Sequence, residues 1–161
     1  MATANPSWSL PRTNMRRRSL LLGTLLLPAF PCAGDAAAAD LPFVRVTSPK
    51  ELDAAVPQAR SRRKPILVYV SAEWCPICKH IDREVFSNVV IRRRLEGMAL
   101  VHADVTAADE HSRMLMQRLN APGPPTLFVL AAGTGMEMPR TRLIGPVSAN
   151  LFLDTINIAG L

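Results

Sequence analysis

A chain of 161 residues that is 48% hydrophobic and only 5% aromatic has room for one compact domain with a mainly aliphatic core, and not for several. Its formal charge of +6 overstates the basicity of that domain. Arg12, Arg16, Arg17, Arg18 and Asp35 all precede Asp40, and without them 15 basic residues face 12 acidic ones, a balance of +3 that gives no electrostatic reason to expect a nucleic-acid partner.

From the N-terminus, Arg16-Arg17-Arg18 is followed by Ser19, an apolar stretch from Leu20 to Phe30 and a small-residue tract ending Ala36-Ala37-Ala38-Ala39. Basic, then apolar, then small is the order of an export signal, with cleavage before Asp40. The chain therefore divides into a leader, 1–39, and a domain, 40–161, destined for the periplasm. The apolar stretch is interrupted by Gly23 and Pro28 and is short for a membrane-spanning helix; an uncleaved anchor is the alternative. Met15 is an alternative initiator. Arg17-Arg18-Ser19-Leu20-Leu21 fits a loose twin-arginine pattern and the leucines equally suit general secretion, so both routes stay open. Cys32 falls in the leader, and Pro31 before it argues against lipid attachment.

In the domain, 41–46 reads as a short strand. Pro49-Lys50-Glu51-Leu52 opens a helix to about Arg60, shortened or bent by Pro57. The basic loop Ser61-Arg62-Arg63-Lys64 precedes a central strand at 66–70. The next helix starts near Cys75 with Ile77, Ile81 and Val85 as an apolar stripe. Phe86-Ser87-Asn88 is a break and recap before a short helix, Val89–Leu95, and Gly97 leads to a strand at 99–103. Thr106 to Glu110 supplies caps for a helix holding Met114, Leu115, Arg118 and Leu119, with Met114 and Met116 read as helix-core residues. Pro122-Gly123-Pro124-Pro125 delivers the chain into the strand Thr126–Leu130. A turn at Gly133-Thr134-Gly135 returns it as a strand at 140–144, and a helix at 148–158 closes the domain.

Chemistry concentrates at Trp74-Cys75-Pro76-Ile77-Cys78-Lys79. A strand feeding C-x-x-C at a helix start puts one sulfur at the exposed first turn and the other one turn further in, close enough to bridge. Free N–H groups and the positive end of the helix dipole favour a thiolate at Cys75. That thiolate is the nucleophile, and Cys78 resolves the mixed disulfide. Pro76 in the first turn removes no intrahelical hydrogen bond. A loop this short constrains little, so the pair is explained by redox chemistry and not by stapling. The reading is a thiol–disulfide oxidoreductase whose only redox group is its own Cys75–Cys78 disulfide.

Three features together resemble the thioredoxin superfamily over about 43–158: the strand followed by W-C-x-x-C-K, Pro124-Pro125-Thr126 entering a strand, and the β-β-α ending. The resemblance implies an α/β thioredoxin-like fold with a central mixed β-sheet flanked by helices. It also implies a cis peptide before Pro125, beside the dithiol, an isomer realistic only before proline. Ala72-Glu73-Trp74-Cys75, Val85-Phe86-Ser87 and Ala103-Asp104-Val105-Thr106-Ala107-Ala108-Asp109 are similar to the C-terminal domain of DsbD-type transmembrane reductases. By that likeness the domain takes electrons from a separate membrane protein and passes them to periplasmic protein disulfides, as a monomer. Trp74, Pro76, Ile77, Pro124, Pro125 and Thr126 are the implied substrate-binding residues. Two departures stand out. Tyr69 occupies the place, six residues before the first cysteine, where many thioredoxins bury an aspartate, so Asp82, with Tyr69 and Glu73 in support, is expected to handle protons. Pro124 lacks the N–H with which relatives bind a substrate strand.

Rival readings use the same dithiol. A dithiol oxidase would run the exchange the other way. The absence of a histidine between Cys75 and Cys78 favours reduction or isomerisation over this. A metal-handling or redox-sensing module would need further ligands, and His80, His102 and His111 show no H-x₃₋₅-H spacing, so no metal is expected. Lys79 and His80 read as solvent-facing. The clusters Arg62-Arg63-Lys64 and Arg92-Arg93-Arg94 read as solvated surface, with docking on an acidic partner or an anionic membrane as the alternative.

Overall fold

The computed structural model describes residues 41–161. The expected leader, its cleavage point and Cys32 lie outside the described residues.

Short capped elements build the domain. β1 (Val44–Val46) leads to Ser48, whose hydroxyl accepts the Glu51 N–H and opens α1 (Pro49–Ser61). Pro57 neither ends nor shortens α1. Its ring removes the N–H that would bond to Asp53, and both residues lie on the exposed face, where water replaces that bond. β2 (Ile66–Ser71) is buried along its whole length. After it come α2 (Pro76–His80), a π-helical turn over Ile81–Val85, and α3 (Val89–Leu95), capped by the Asn88 side chain. β3 (Ala99–Asp104), α4 (Glu110–Arg118, capped by Asp109), β4 (Thr126–Leu130), β5 (Leu143–Ile144) and α5 (Ala149–Ile158, capped by Ser148) complete the order.

The five strands form one mixed sheet in the order β1-β3-β2-β4-β5. β1, β3 and β2 are mutually parallel, while β4 runs antiparallel to β2 and to β5. The central strands read as unbroken aliphatic runs because both of their faces are covered. Helix α1 packs against α4, and α5 against the π-helical turn.

Three sequence expectations change in detail. The stripe after Cys75 does not begin at Ile77, which is exposed. Cys78, Ile81 and Val85 are the buried positions instead, an i, i+3, i+7 stripe that fits a helical repeat as well as the one beginning at Ile77. Met114 is exposed and Leu115 takes the core position on α4. The returning strand is only two residues long. Arg140 adopts a left-handed φ of 63°, and the buried Thr141 hydroxyl accepts the Val129 N–H at 3.1 Å, replacing a ladder bond with a side chain.

Candidate active site

The parallel β2–β3 pair ends with Ser71 opposite Asp104, and the candidate site is built on the loops that leave this end. From Ser71 the chain turns through Ala72-Glu73-Trp74 to Cys75, the N-cap of α2. Cys75 and Cys78 form a disulfide with Cα atoms 5.3 Å apart. The Cys78 N–H points at Cys75 Sγ at 3.1 Å, an unpaired helix-start donor of the kind that stabilises a thiolate. Cys75 is only 4% exposed, which corrects the expectation of an exposed first sulfur. Exposure falls on its neighbours instead, with Trp74 at 56% and Ile77 at 37%; Glu73, Pro76, Lys79 and His80 are exposed as well.

A polar relay fixes the turn before the dithiol. Thr106 Oγ1 accepts the Glu73 N–H at 3.0 Å and the Thr106 carbonyl accepts the Trp74 indole N–H at 3.0 Å. Thr106 is itself held by Asp104, which accepts both its main-chain N–H and its hydroxyl. Asp104, nearly buried, pairs with Arg45 on β1. Burial works against the Asp104 charge, but Thr106 and Arg45 outweigh it and hold the carboxyl below its usual range. The DsbD-like stretch around Asp104 and Thr106 was visible in the sequence; the pairing with Arg45 and the indole contact were not. An Asp two residues before a Thr is a local turn signal, whereas the other contacts depend on how strands align.

Beneath the dithiol lies an aromatic cluster. The Tyr69 hydroxyl donates to the Cys78 carbonyl at 3.2 Å. Its ring stacks on His102 with centroids 5.7 Å apart and meets the edge of Phe86 at 5.2 Å, and Phe43 packs against all three. Burial, and secondarily the Asp82 carboxylate, push the Tyr69 phenol far above its ordinary pKa, so it stays neutral. Burial raises the Asp82 carboxyl as well, against the lowering effects of Tyr69 and His102. His102 is shifted down, chiefly by burial, and its Nε2 lies 2.6 Å from the Ser71 hydroxyl. His102 and Ser71 were not singled out as site residues; the direct pairing of Tyr69 with His102 across β2 and β3 is a tertiary fact with no local signature.

The second loop reaches the same end of the sheet, since Thr126 pairs with Val70. The Pro124–Pro125 peptide is cis, Pro125 is buried and Pro124 half-buried. Thr126 is fully buried and its hydroxyl donates to the Gly123 carbonyl at 2.6 Å. Among the described residues no group of three or more His, Cys, Asp and Glu side chains converges as a metal site would require.

A family model described as thioredoxin-like matches residues 47–132, from just after β1 through the dithiol helix to just past β4. The chain belongs to the thioredoxin-like family. Within it, the chain is 38% identical over 104 residues to thiol:disulfide interchange protein DsbD 1 of Pseudomonas aeruginosa, covering 65% of this chain and 17% of that protein. It is 37% identical over 114 residues to DsbD of Cronobacter sakazakii, covering 71% of this chain and 19% of the relative. The chain thus spans less than a fifth of the length of these curated relatives. In structure it is similar to the C-terminal domain of Neisseria meningitidis DsbD in its oxidised form, with a TM-score of 0.61 and 23% identity, covering 72% of this chain and 99% of that one. A thioredoxin from Thermus thermophilus gives a TM-score of 0.58 at 23% identity, covering 74% of this chain and 88% of that one. These structures establish the thioredoxin-like sheet and helix order.

Proposed function

We propose that this thioredoxin-like protein is an exported thiol–disulfide oxidoreductase that reduces or isomerises disulfides of periplasmic partners. The observation that carries the reading is the disulfide at a helix start, with the Cys78 N–H directed at Cys75 Sγ. In the reduced protein the Cys75 thiolate attacks one sulfur of a partner disulfide, forming a mixed disulfide and expelling the other partner sulfur as a thiolate. Cys78, deprotonated, then attacks Cys75 Sγ; the Cys75–Cys78 bond forms, and the partner leaves with both sulfurs reduced. Two electrons pass to the partner, whose two thiolates take up the protons. A separate membrane dithiol protein restores the reduced pair, in keeping with the part DsbD-type relatives suggest for such a domain.

On this reading the residues take the following roles. Asp82, with its raised carboxyl pKa, takes up the Cys78 proton during resolution, assisted by neutral Tyr69, while Glu73 remains a solvated supporting carboxylate. Trp74, Pro76 and Ile77 offer the exposed rim on which a partner lies; half-buried Pro124 is its second wall, with buried Pro125 and Thr126 supporting it from behind. If Asp82→Asn leaves both the thiol titration and the exchange rate as they were, the proton role is wrong.

The test of the whole reading is the reduction potential of the Cys75–Cys78 pair, measured by equilibration with glutathione or dithiothreitol. A value near that of thioredoxin, about −270 mV, supports an electron donor. One near about −120 mV, as for DsbA, reverses the direction and makes an oxidase. Cys78→Ser should accumulate mixed disulfides through Cys75; a metal carrier would only lose a ligand.

A further inference from the structure

The end of the sheet remote from the dithiol is strongly basic, and two separate segments make it so. Helix α1 ends at Ser61 and the chain enters β2 through Arg62, Arg63 and Lys64; α3 carries Arg93 and Arg94 in its last turn before the chain enters β3. Strand pairing makes these segments neighbours. The Ala99 N–H donates to the Pro65 carbonyl at 2.8 Å, and Lys64 Nζ donates to the Glu96 carbonyl at 2.8 Å. Among the described residues Arg62, Arg63 and Arg93 have no acidic partner. Arg94 donates to the main-chain oxygen of Leu161, and the exposed Glu96 offsets part of the charge.

Two further placements give this end a direction. β1 runs parallel to β3, so the described chain begins at the basic end, where Pro42, Arg62 and Met98 line one small cavity. The dithiol instead follows the far end of the six-residue β2, roughly 20 Å away at the usual rise of a strand. That far end carries Glu51, Glu73, Asp82, Asp104, Asp109 and Glu110 alongside Arg45, Lys50, Lys79 and Arg113, with Arg45 paired to Asp104 and Arg113 to Glu110. The charge distribution is therefore uneven along the strands, strongly basic at the end where β1 begins and mixed at the dithiol.

We propose that the basic end is a docking surface for anionic lipid headgroups, seating the domain on a membrane with the dithiol turned away from it. The charges sit on two solvent-exposed segments without aromatic or large apolar residues between them. A protein partner of this size of patch would ordinarily meet a desolvated centre with aromatic anchors, whereas a plane of headgroups needs only accessible cations. Docking holds the dithiol clear of the bilayer, where a partner's disulfide can approach the exposed Trp74 and Ile77.

The test compares the full chain with an Arg62→Gln, Arg63→Asn, Arg93→Gln variant by co-sedimentation with vesicles of phosphatidylcholine, alone or mixed with phosphatidylglycerol. Asparagine suits position 63, whose φ of 55° disfavours most other side chains. Each basic residue at an anionic surface is worth about fivefold in partition, from about 1 kcal/mol, so the variant should lose more than about tenfold on the mixed vesicles. Added salt should weaken the wild type in the same way, and the two proteins should behave alike on phosphatidylcholine, where whatever the leader contributes is common to both. Single Arg93→Gln, at the end of an exposed helix, should lose about fivefold and guards against misfolding of the triple variant. Equal binding of wild type and variants to the mixed vesicles overturns the proposal. So does a wild type that ignores them yet binds soluble polyglutamate through these same arginines, which would make the partner an acidic protein. Dithiol exchange with a soluble disulfide does not depend on this surface, so failure here leaves the redox reading standing, and failure of that reading leaves this one.

Discussion

The two loops that reach the dithiol end of the sheet are held by opposite means. Residues 71–75 form a donor-rich turn whose N–H groups are collected by one neighbour: Thr106 takes the Glu73 amide and the Trp74 indole, Asp104 takes Thr106, and Arg45 takes Asp104. Residues 120–125 contain Pro122, Pro124 and Pro125, which have no N–H to satisfy and are already restricted in φ. There the carbonyls are gathered instead, by Arg142 at Leu119 and Asn120 and by the Thr126 hydroxyl at Gly123. A loop fixed through a chain of hydrogen bonds to one buried carboxylate should fail when that group is removed. A loop fixed largely by its own covalent stiffness should tolerate loss of any single contact better.

The largest effect is therefore expected from Asp104→Ala. It strands the Thr106 amide and leaves Arg45 without its partner, and hydrogen bonds to a buried charge are worth about 1.5–3 kcal/mol. A loss of about 2–3 kcal/mol in chemical denaturation is expected, with a change in Trp74 fluorescence in the still-folded protein as its indole contact loosens. Because the Asp104 pKa is depressed, the stability it gives is complete above the ordinary carboxylate value of about 3.9 and is lost as pH falls through the lower folded value. Arg142→Ala is the matching change at the second loop. It removes two carbonyl contacts, the Glu137 ion pair and a guanidinium 4.2 Å above the Phe128 ring centre. The expected cost is smaller, about 1–2 kcal/mol, and Arg142→Lys should recover little of it because an ammonium cannot reproduce the planar fork. If Arg142→Ala cost more than Asp104→Ala, the contrast between the loops would be wrong.

The same contrast explains what the sequence disclosed. C-x-x-C after an apolar run is a local pattern, as are Asn88, Asp109 and Ser148, whose side chains accept the first helical amides. Fold class, the order of elements along the chain up to β4 and the cysteine pair were legible for that reason. The Arg45–Asp104–Thr106 relay, the stacking of His102 on Tyr69 and the Thr141 hydroxyl that cuts β5 short join residues far apart in the chain. No periodicity reports such contacts. Ile77 was misplaced because stripes through Ile77 or Cys78, each running on to Ile81 and Val85, fit the 3.6-residue repeat equally well. Its exposure instead follows from the helix starting at Cys75, which turns Cys78 inward.

Below the first loop, His102 touches Ser71 and Tyr69, and it feels Asp104, Asp82 and Arg45. Its pKa is lowered, so the folded state binds a proton less readily than the unfolded chain. Stability should be fully present above the unfolded value of about 6.5 and fall as pH drops toward the folded one. The slope for a single proton is at most about 1.4 kcal/mol per pH unit. His102→Gln should flatten this limb in a series of denaturation curves. Asp82 acts with the opposite sign: its raised pKa means that stability is lost as pH rises from the ordinary carboxylate value through the raised one, and Asp82→Asn should remove that decline. A His102→Gln profile that keeps the wild-type slope near neutrality would assign the proton uptake to another group.

The smallest effect is expected from Pro124→Ala, and it bears on binding more than on folding. Pro124 is half-buried beside a buried Pro125, and the Pro125 carbonyl is already used by the Gly145 N–H at 3.0 Å. A peptide lying along this loop therefore finds neither an N–H at 124 nor a free carbonyl at 125. Alanine restores the missing donor at a position where the chain needs no positive φ. One added main-chain hydrogen bond is worth about 1 kcal/mol, so a peptide trapped as a mixed disulfide on Cys78→Ser protein should exchange about fivefold more slowly from the Pro124→Ala background. Stability should fall slightly, since the unfolded chain regains freedom that proline denied it. Tighter peptide retention with slightly lower stability would show that the stiffness of the second loop limits partner binding. Unchanged retention would place the partner's main chain elsewhere, with Trp74 and Ile77 carrying recognition through their side chains.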